Sequence, residues 1–199
     1  MMMVLVILHF FMNRILLIDN FDSFTHILRE SLLMAGADTV NIVPVNLIDL
    51  PEIVSAYDKV VISPGPGTPD DNNLPILINT LSGKIPVLGI CLGMQAIVMA
   101  FGGNLINLKQ VFHGETRIIR LRESLLFKNL PLKINVGLYH SWAAKQEDIP
   151  TDIVITSISE DNIIMSIEHK ISPIYGVQFH PESYLTKDGI QILKNWLEL

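Results

Sequence analysis

Ile85-Pro86-Val87-Leu88-Gly89-Ile90-Cys91-Leu92-Gly93-Met94-Gln95-Ala96-Ile97-Val98-Met99-Ala100-Phe101-Gly102-Gly103 reads as a buried strand that turns directly into a helix. The apolar run before Cys91 suits a strand, and the stretch after it has helical character and stops at paired glycines. Glycines two before and two after a central residue are the pattern of a nucleophile elbow. The turn is sharp, so small neighbours are needed to avoid clashes. It pushes the thiol out at the carboxyl end of the sheet. The helix that begins there directs the positive end of its dipole at the sulfur. Cys91 is the chain's only cysteine. A lone cysteine is more often inert core than nucleophile, and the flanking glycines shift that balance.

Residues far downstream supply what a thiol needs. Ile174-Tyr175-Gly176-Val177-Gln178-Phe179-His180-Pro181-Glu182-Ser183 reads as a short strand ending in a polar knot. Residues two apart in an extended chain project to the same side, so His180 and Glu182 can face one site. Cys91, His180 and Glu182 then fill the roles of nucleophile, base and orienting group. Alone, His-Pro-Glu would read as a surface turn with a solvated glutamate; the elbow decides against that. A third segment, Lys59 to Ser63 followed by Pro64-Gly65-Pro66-Gly67-Thr68-Pro69, is a strand with a stiff Gly/Pro loop at its carboxyl end. Its backbone N–H groups suit an oxyanion hole, joined by the N–H of Leu92. An ordinary tight turn would look the same, so this loop is weak evidence by itself.

Together these segments resemble the class I (triad-type) glutamine amidotransferases. The matching stretches are Ile15 to Thr25, Ser63 to Pro69, Gly89 to Gln95, Phe112-His113-Gly114, Tyr139-His140-Ser141 and Gly176 to Ser183. The opening Asp19-Asn20-Phe21-Asp22-Ser23-Phe24-Thr25 narrows the resemblance to the branch that serves chorismate-using synthases. Those are anthranilate synthase and its relative aminodeoxychorismate synthase. Met94, His26-Ile27, Glu115 and Trp142 depart from the pattern of that branch, and all four departures lie outside the triad.

The resemblance implies a mechanism. Cys91 attacks the side-chain amide of glutamine, His180 carries the proton to the departing ammonia, and Glu182 holds the imidazole. Glutamine is implied to be held by the backbone at Gly65, Pro66 and Gly67, by Gln95, and by the main chain at Ser141 and Trp142. It implies a flavodoxin-like fold, no cofactor on this chain, and magnesium only on the partner. The amidotransferase unit uses up the chain, so the chorismate-binding synthase is expected to be a separate subunit. Anthranilate synthesis is the favoured pathway, with aminodeoxychorismate synthesis as the alternative. A cysteine hydrolase or peptidase on the same elbow, and a silent binding subunit, are the rivals from other classes.

Composition agrees with a single domain of 199 residues at 12–199. Apolar residues make up 49% and charged residues 17%, as a parallel sheet buried on both faces requires. The alternating elements predict an α/β fold: a doubly wound, mostly parallel sheet with helices on both faces, plus a smaller antiparallel strand addition. Strands are expected at 14–19, 39–45, 59–63, 86–90, 104–107, 115–121, 132–138, 153–159, 163–168 and 174–179. Helices are expected at 23–35, 74–81, 92–101 and 187–197, with a short helix or turn at 47–54. Asp22 or Ser23 is expected to cap the first helix.

A net charge of −6 with no basic run argues against nucleic acid. One cysteine excludes an internal disulfide and fits a reducing cytoplasm. Dispersed histidines argue against a metal site. The apolar residues 1–11 form an extension too short to span a bilayer and without a signal-peptide pattern. Met12 is the expected start, with a membrane-contacting tail as the alternative.

Overall fold

The computed structural model describes residues 13–48, 53 and 55–199. The extension 1–11, Met12 and most of the segment expected at 47–54 lie outside the described residues. The first half alternates as expected: β1 (Arg14–Asp19), α1 (Thr25–Ala35), β2 (Thr39–Pro44), β3 (Lys59–Ile62), α2 (Leu74–Leu81), β4 (Val87–Ile90) and α3 (Leu92–Ala100). The second half is mostly strand: β5 (Leu105–Asn107), β6 (Glu115–Leu121), β7 (Lys133–Leu138), β8 (Trp142–Ala144), β9 (Ile153–Ser159), β10 (Ile164–His169) and β11 (Ile174–Val177). Helix α4 (Gly189–Leu197) closes the chain.

Nine strands form one sheet in the order β2-β1-β3-β4-β11-β10-β9-β6-β7. The first five in that order run parallel. The other four continue the same sheet in antiparallel pairing. The antiparallel strands are therefore an extension of the central sheet. Among the described residues only β5 and β8 stand apart, as a two-stranded ribbon.

Every residue of β3 and β4 is buried, because helices cover both faces of the parallel half. Alternate residues of β1 split between two cores. Ile15 and Leu17 pack with Leu28 and Leu32 of α1 and with Ile192 and Trp196 of α4. Leu16 and Ile18 pack with Leu74 and Ile78 of α2 and with Ala96 and Ile97 of α3. This is the two-residue strand period meeting the helical one. Lys59 ties α4 to the sheet. Its Nζ donates to the carbonyls of Trp196 at 3.1 Å and Leu197 at 2.6 Å, a cation at a helix C-terminus. Burial pushes its pKa down to about 8.

Two local expectations change. Helix α1 starts at Thr25, and its N-cap residue Phe24 makes no side-chain cap. Asp22 instead closes the preceding turn, its Oδ1 accepting from the Phe24 N–H at 2.8 Å. Strand β8 is absent from the sequence reading, being three residues long directly after the polar Tyr139-His140-Ser141. Among the described residues no helix is long and apolar enough to cross a membrane. The sheet order places the reversal of winding at β1 and β3, so ligands belong beyond the carboxyl ends of the parallel strands.

Candidate active site

The elbow is built as the glycine spacing requires. Cys91 sits at φ 52°, ψ −101° as the N-cap of α3, a strained backbone costing roughly 1–3 kcal/mol for a residue with a side chain. Its N–H donates to the Val177 carbonyl at 2.7 Å, and its own carbonyl accepts from Gln95 N–H at 3.1 Å. These bonds fix the strained turn between β4, β11 and α3.

Beyond β11, His180 and Glu182 form a buried pair, with Nδ1–H donating to Oε1 at 2.6 Å. The turn that carries them is pinned from below. His180 N–H donates to the Gly137 carbonyl at 3.1 Å. Thr186 Oγ1 donates to the His180 carbonyl at 2.7 Å and accepts from Gly137 N–H at 2.9 Å. Phe24 and Tyr139 wall the imidazole, with ring centroids at 5.6 and 4.8 Å.

Burial alone would lower the His180 pKa, but the neighbouring Cys91 and Glu182 outweigh it and raise it well above the usual value. Nε2 has no hydrogen-bond partner of ordinary geometry. Cys91 is still close enough to favour the charged ring, and such contacts commonly tighten only when substrate binds.

A cavity of about 190 Å³ opens over Cys91. Gly65, Pro66, Gly67, Leu92, Gln95, Ser141 and Trp142 all line it, so the structure brings every residue named for glutamine to the nucleophile candidate. The loop at Gly65 is braced by Asn20, whose N–H and Nδ2 donate to Ser63 Oγ at 2.9 Å and to the Ser63 carbonyl at 3.0 Å. A Cβ on Gly65 would fall 2.6 Å from the Asn20 Cβ, so this strand end can hold only glycine there. Leu92 opens α3, where backbone N–H groups have no helical acceptor.

Tyr139 and His140 line the same cavity and carry no role in the sequence reading. His140 is pushed down to about 4, chiefly by burial. It is neutral at pH 7, so its Nδ1–H is the donor to the Trp142 carbonyl at 2.9 Å. Gln178 likewise has no role there. It is fully buried and its Nε2 donates to Cys91 Sγ at 3.5 Å. Its place two residues before His180 was the available signal.

Three of the four departures from the family pattern lie outside this cavity, while Trp142 lines it. Met94 is buried beneath β11, where a Cβ on Gly176 would fall 2.8 Å from its Cγ. Glu115 pairs with Arg117 at 3.0 Å, and Ile27 is solvent-exposed. A wider, open groove of about 610 Å³ lies at the edge strand β2, lined by His26, Arg29, Asn41 and Tyr57 among others. It brings no thiol to a base. Among the described residues no group of three or more His, Cys, Asp or Glu is placed to hold a metal ion.

Comparison with known proteins agrees with this geometry. The family model "Glutamine amidotransferase class-I" matches residues 16–199. The chain belongs to the class-I glutamine amidotransferases. It is thus an enzyme of glutamine amide transfer. Anthranilate synthase component 2 of Pyropia yezoensis is 40% identical over 187 residues, covering 92% of this chain and 98% of that one. Aminodeoxychorismate synthase component 2 of Escherichia coli K12 is 40% identical over 185 residues, covering 92% and 98%. The crystal structure of a Thermoplasma acidophilum protein, ascribed to GMP synthase, superimposes with a TM-score of 0.83 at 28% identity, covering 96% of this chain and 94% of that one.

Proposed function

We propose that this amidotransferase is the glutaminase component of an anthranilate synthase, hydrolysing glutamine through Cys91, His180 and Glu182. The observation that carries the reading is the buried His180–Glu182 pair facing a strained cysteine at the floor of a cavity. Sγ attacks the Cδ carbon of the glutamine side chain, and the thiol proton resides on His180 Nε2. The oxyanion forms against the backbone N–H groups of Leu92 and the Gly65 to Gly67 loop, each donor worth about 10²–10³ in rate. Collapse breaks the C–N bond, and His180 returns its proton to the leaving nitrogen, giving ammonia and a glutamyl thioester. Water, deprotonated by His180, cleaves the thioester to glutamate and the free thiol. Glu182 keeps Nδ1–H engaged throughout, so Nε2 is always the reacting nitrogen.

The ammonia acceptor is chorismate, bound on a separate synthase subunit in the cytoplasm. The relatives named above support a chorismate-linked partner, and their two names define the alternative, aminodeoxychorismate synthesis. The test is a product assay: recover the chain with its natural partner and supply glutamine, chorismate and magnesium. Anthranilate supports the reading. Aminodeoxychorismate moves the chain to the alternative and leaves the glutaminase chemistry intact. Glutamate without either product rejects chorismate as the acceptor.

A further inference from the structure

We propose that Gln178 is a positioning residue for this reaction: its side-chain amide holds the Cys91 sulfur and ties it, through Gln95, to the Trp142 carbonyl in the cavity wall. The proposal rests on Cys91 being the nucleophile.

Gln178 has no solvent exposure, so its two N–H groups and its carbonyl must find partners inside the protein. Nε2 donates to Cys91 Sγ at 3.5 Å, the one side-chain hydrogen bond of ordinary geometry to that sulfur among the described residues. Oε1 accepts from Gln95 Nε2 at 3.2 Å. The other hydrogen of Gln95 Nε2 goes to the Trp142 carbonyl at 2.9 Å. That carbonyl also accepts from His140 Nδ1–H. A line of buried and part-buried bonds thus runs His140, Trp142, Gln95, Gln178, Cys91. Each member fixes the orientation of the next, because reversing Gln95 would set oxygen against oxygen and reversing Gln178 would set N–H against N–H.

Two consequences follow for the chemistry. Gln95 has both N–H groups engaged by the protein, so only its Oε1 remains to meet a donor group of glutamine. The sulfur gains an N–H that stabilises negative charge on it and fixes its direction of attack. Loss of that N–H acts on the chemical step more than on glutamine binding. The titratable groups around the sulfur are His180 and Glu182, with Asp22 acting on both, and Tyr139 and His140 in the same cavity wall. Substitutions at position 178 leave all five in place, and Gln178→Glu adds a carboxyl group of its own.

Two variants test this on the full chain. Gln178→Met removes the amide at similar volume. Gln178→Glu keeps an acceptor for Gln95 Nε2 but turns a carboxylate oxygen towards the sulfur, and it serves where the Met variant fails to fold. The readouts are Cys91 alkylation by iodoacetamide across pH, and glutamate release with kcat and KM separated. Both variants should alkylate about 10-fold or more slowly at neutral pH, with the profile moved to higher pH and Glu further than Met. The kcat should fall while KM for glutamine stays within about threefold. A Gln178→Glu chain that matches the wild type in alkylation profile and kcat, beside an inactive Cys91→Ala chain, overturns the proposal. Glutamate release by Cys91→Ala would instead remove the nucleophile reading beneath it.

Discussion

Gly89 and Gly93 meet across the elbow with no space between them for a side chain. A Cβ on Gly89 would fall 2.5 Å from the Gly93 carbonyl oxygen and 2.7 Å from the Met94 nitrogen. Gly93 in turn lies against β3, where its own Cβ would fall 2.6 Å from the Ile62 carbonyl oxygen. Backbone packed on backbone is what allows α3 to start with only Cys91 between it and β4, and it is what holds Cys91 in its strained conformation.

The obstacle at Gly89 is main chain, which no rotamer change can clear. Gly89→Ala should therefore destabilise by about 3 kcal/mol or more, above the usual range for an added methyl group in a core. Urea denaturation measures it. Wild-type stability in this variant would mean that α3 can move away from β4 without cost.

Glu182→Gln should lower kcat by about 10²–10⁴-fold with little change in KM, because it removes the charge that supports the imidazolium without emptying the site. The same pair sets a pH dependence of stability. The folded-state pKa of His180 is raised by Cys91 and Glu182, against the lowering effect of burial. Its contribution is full below the ordinary histidine value of about 6.5 and is lost as pH rises through the folded-state value. The unfolding free energy gap between wild type and Glu182→Gln should be largest near about pH 6 and shrink on the alkaline side. A gap that grows with rising pH would contradict this assignment.

His140 has the opposite sign. Its folded-state pKa is lowered to about 4, so its contribution is present above the ordinary value and is lost as pH falls towards about 4. The difference corresponds to on the order of 3 kcal/mol. A His140→Gln chain should lose less stability than the wild type between neutral pH and about pH 4, read by urea midpoints at each pH. Parallel acid limbs would show that His140 takes up no proton on unfolding.

Much of the parallel half was legible because β1, β3 and β4 are largely apolar runs between stretches rich in glycine, proline or charge. Leu74–Leu81 and Arg14–Asp19 have the bounds expected for them. Cys91, His180 and Glu182 stood out as candidates because the elbow glycines and His180-Pro181-Glu182 are local patterns, and the structure puts His180 and Glu182 in hydrogen-bond contact. What stayed hidden depends on long-range pairing. Gln178 shares the strand face of His180, two residues on, but the sequence alone does not show that its amide meets a sulfur 87 residues away. His140 stands in a matching stretch, but its burial comes from distant packing against Phe112 and from its bond to the Trp142 carbonyl of β8. Strand β8 exists through pairing with β5, and three residues carry no period of their own. The antiparallel strands were found individually, but their place in the central sheet depends on β11 pairing with both β4 and β10.

The central claim is that ammonia for the partner is released from glutamine at Cys91. The most direct test is product formation by the Cys91→Ala chain in complex with its synthase partner, supplied first with glutamine and then with ammonium salt. The account predicts that glutamine-dependent synthesis falls by about 10³-fold or more, while ammonia-dependent synthesis stays at the wild-type level. Glutamine-dependent synthesis that survives the loss of the thiol would contradict it.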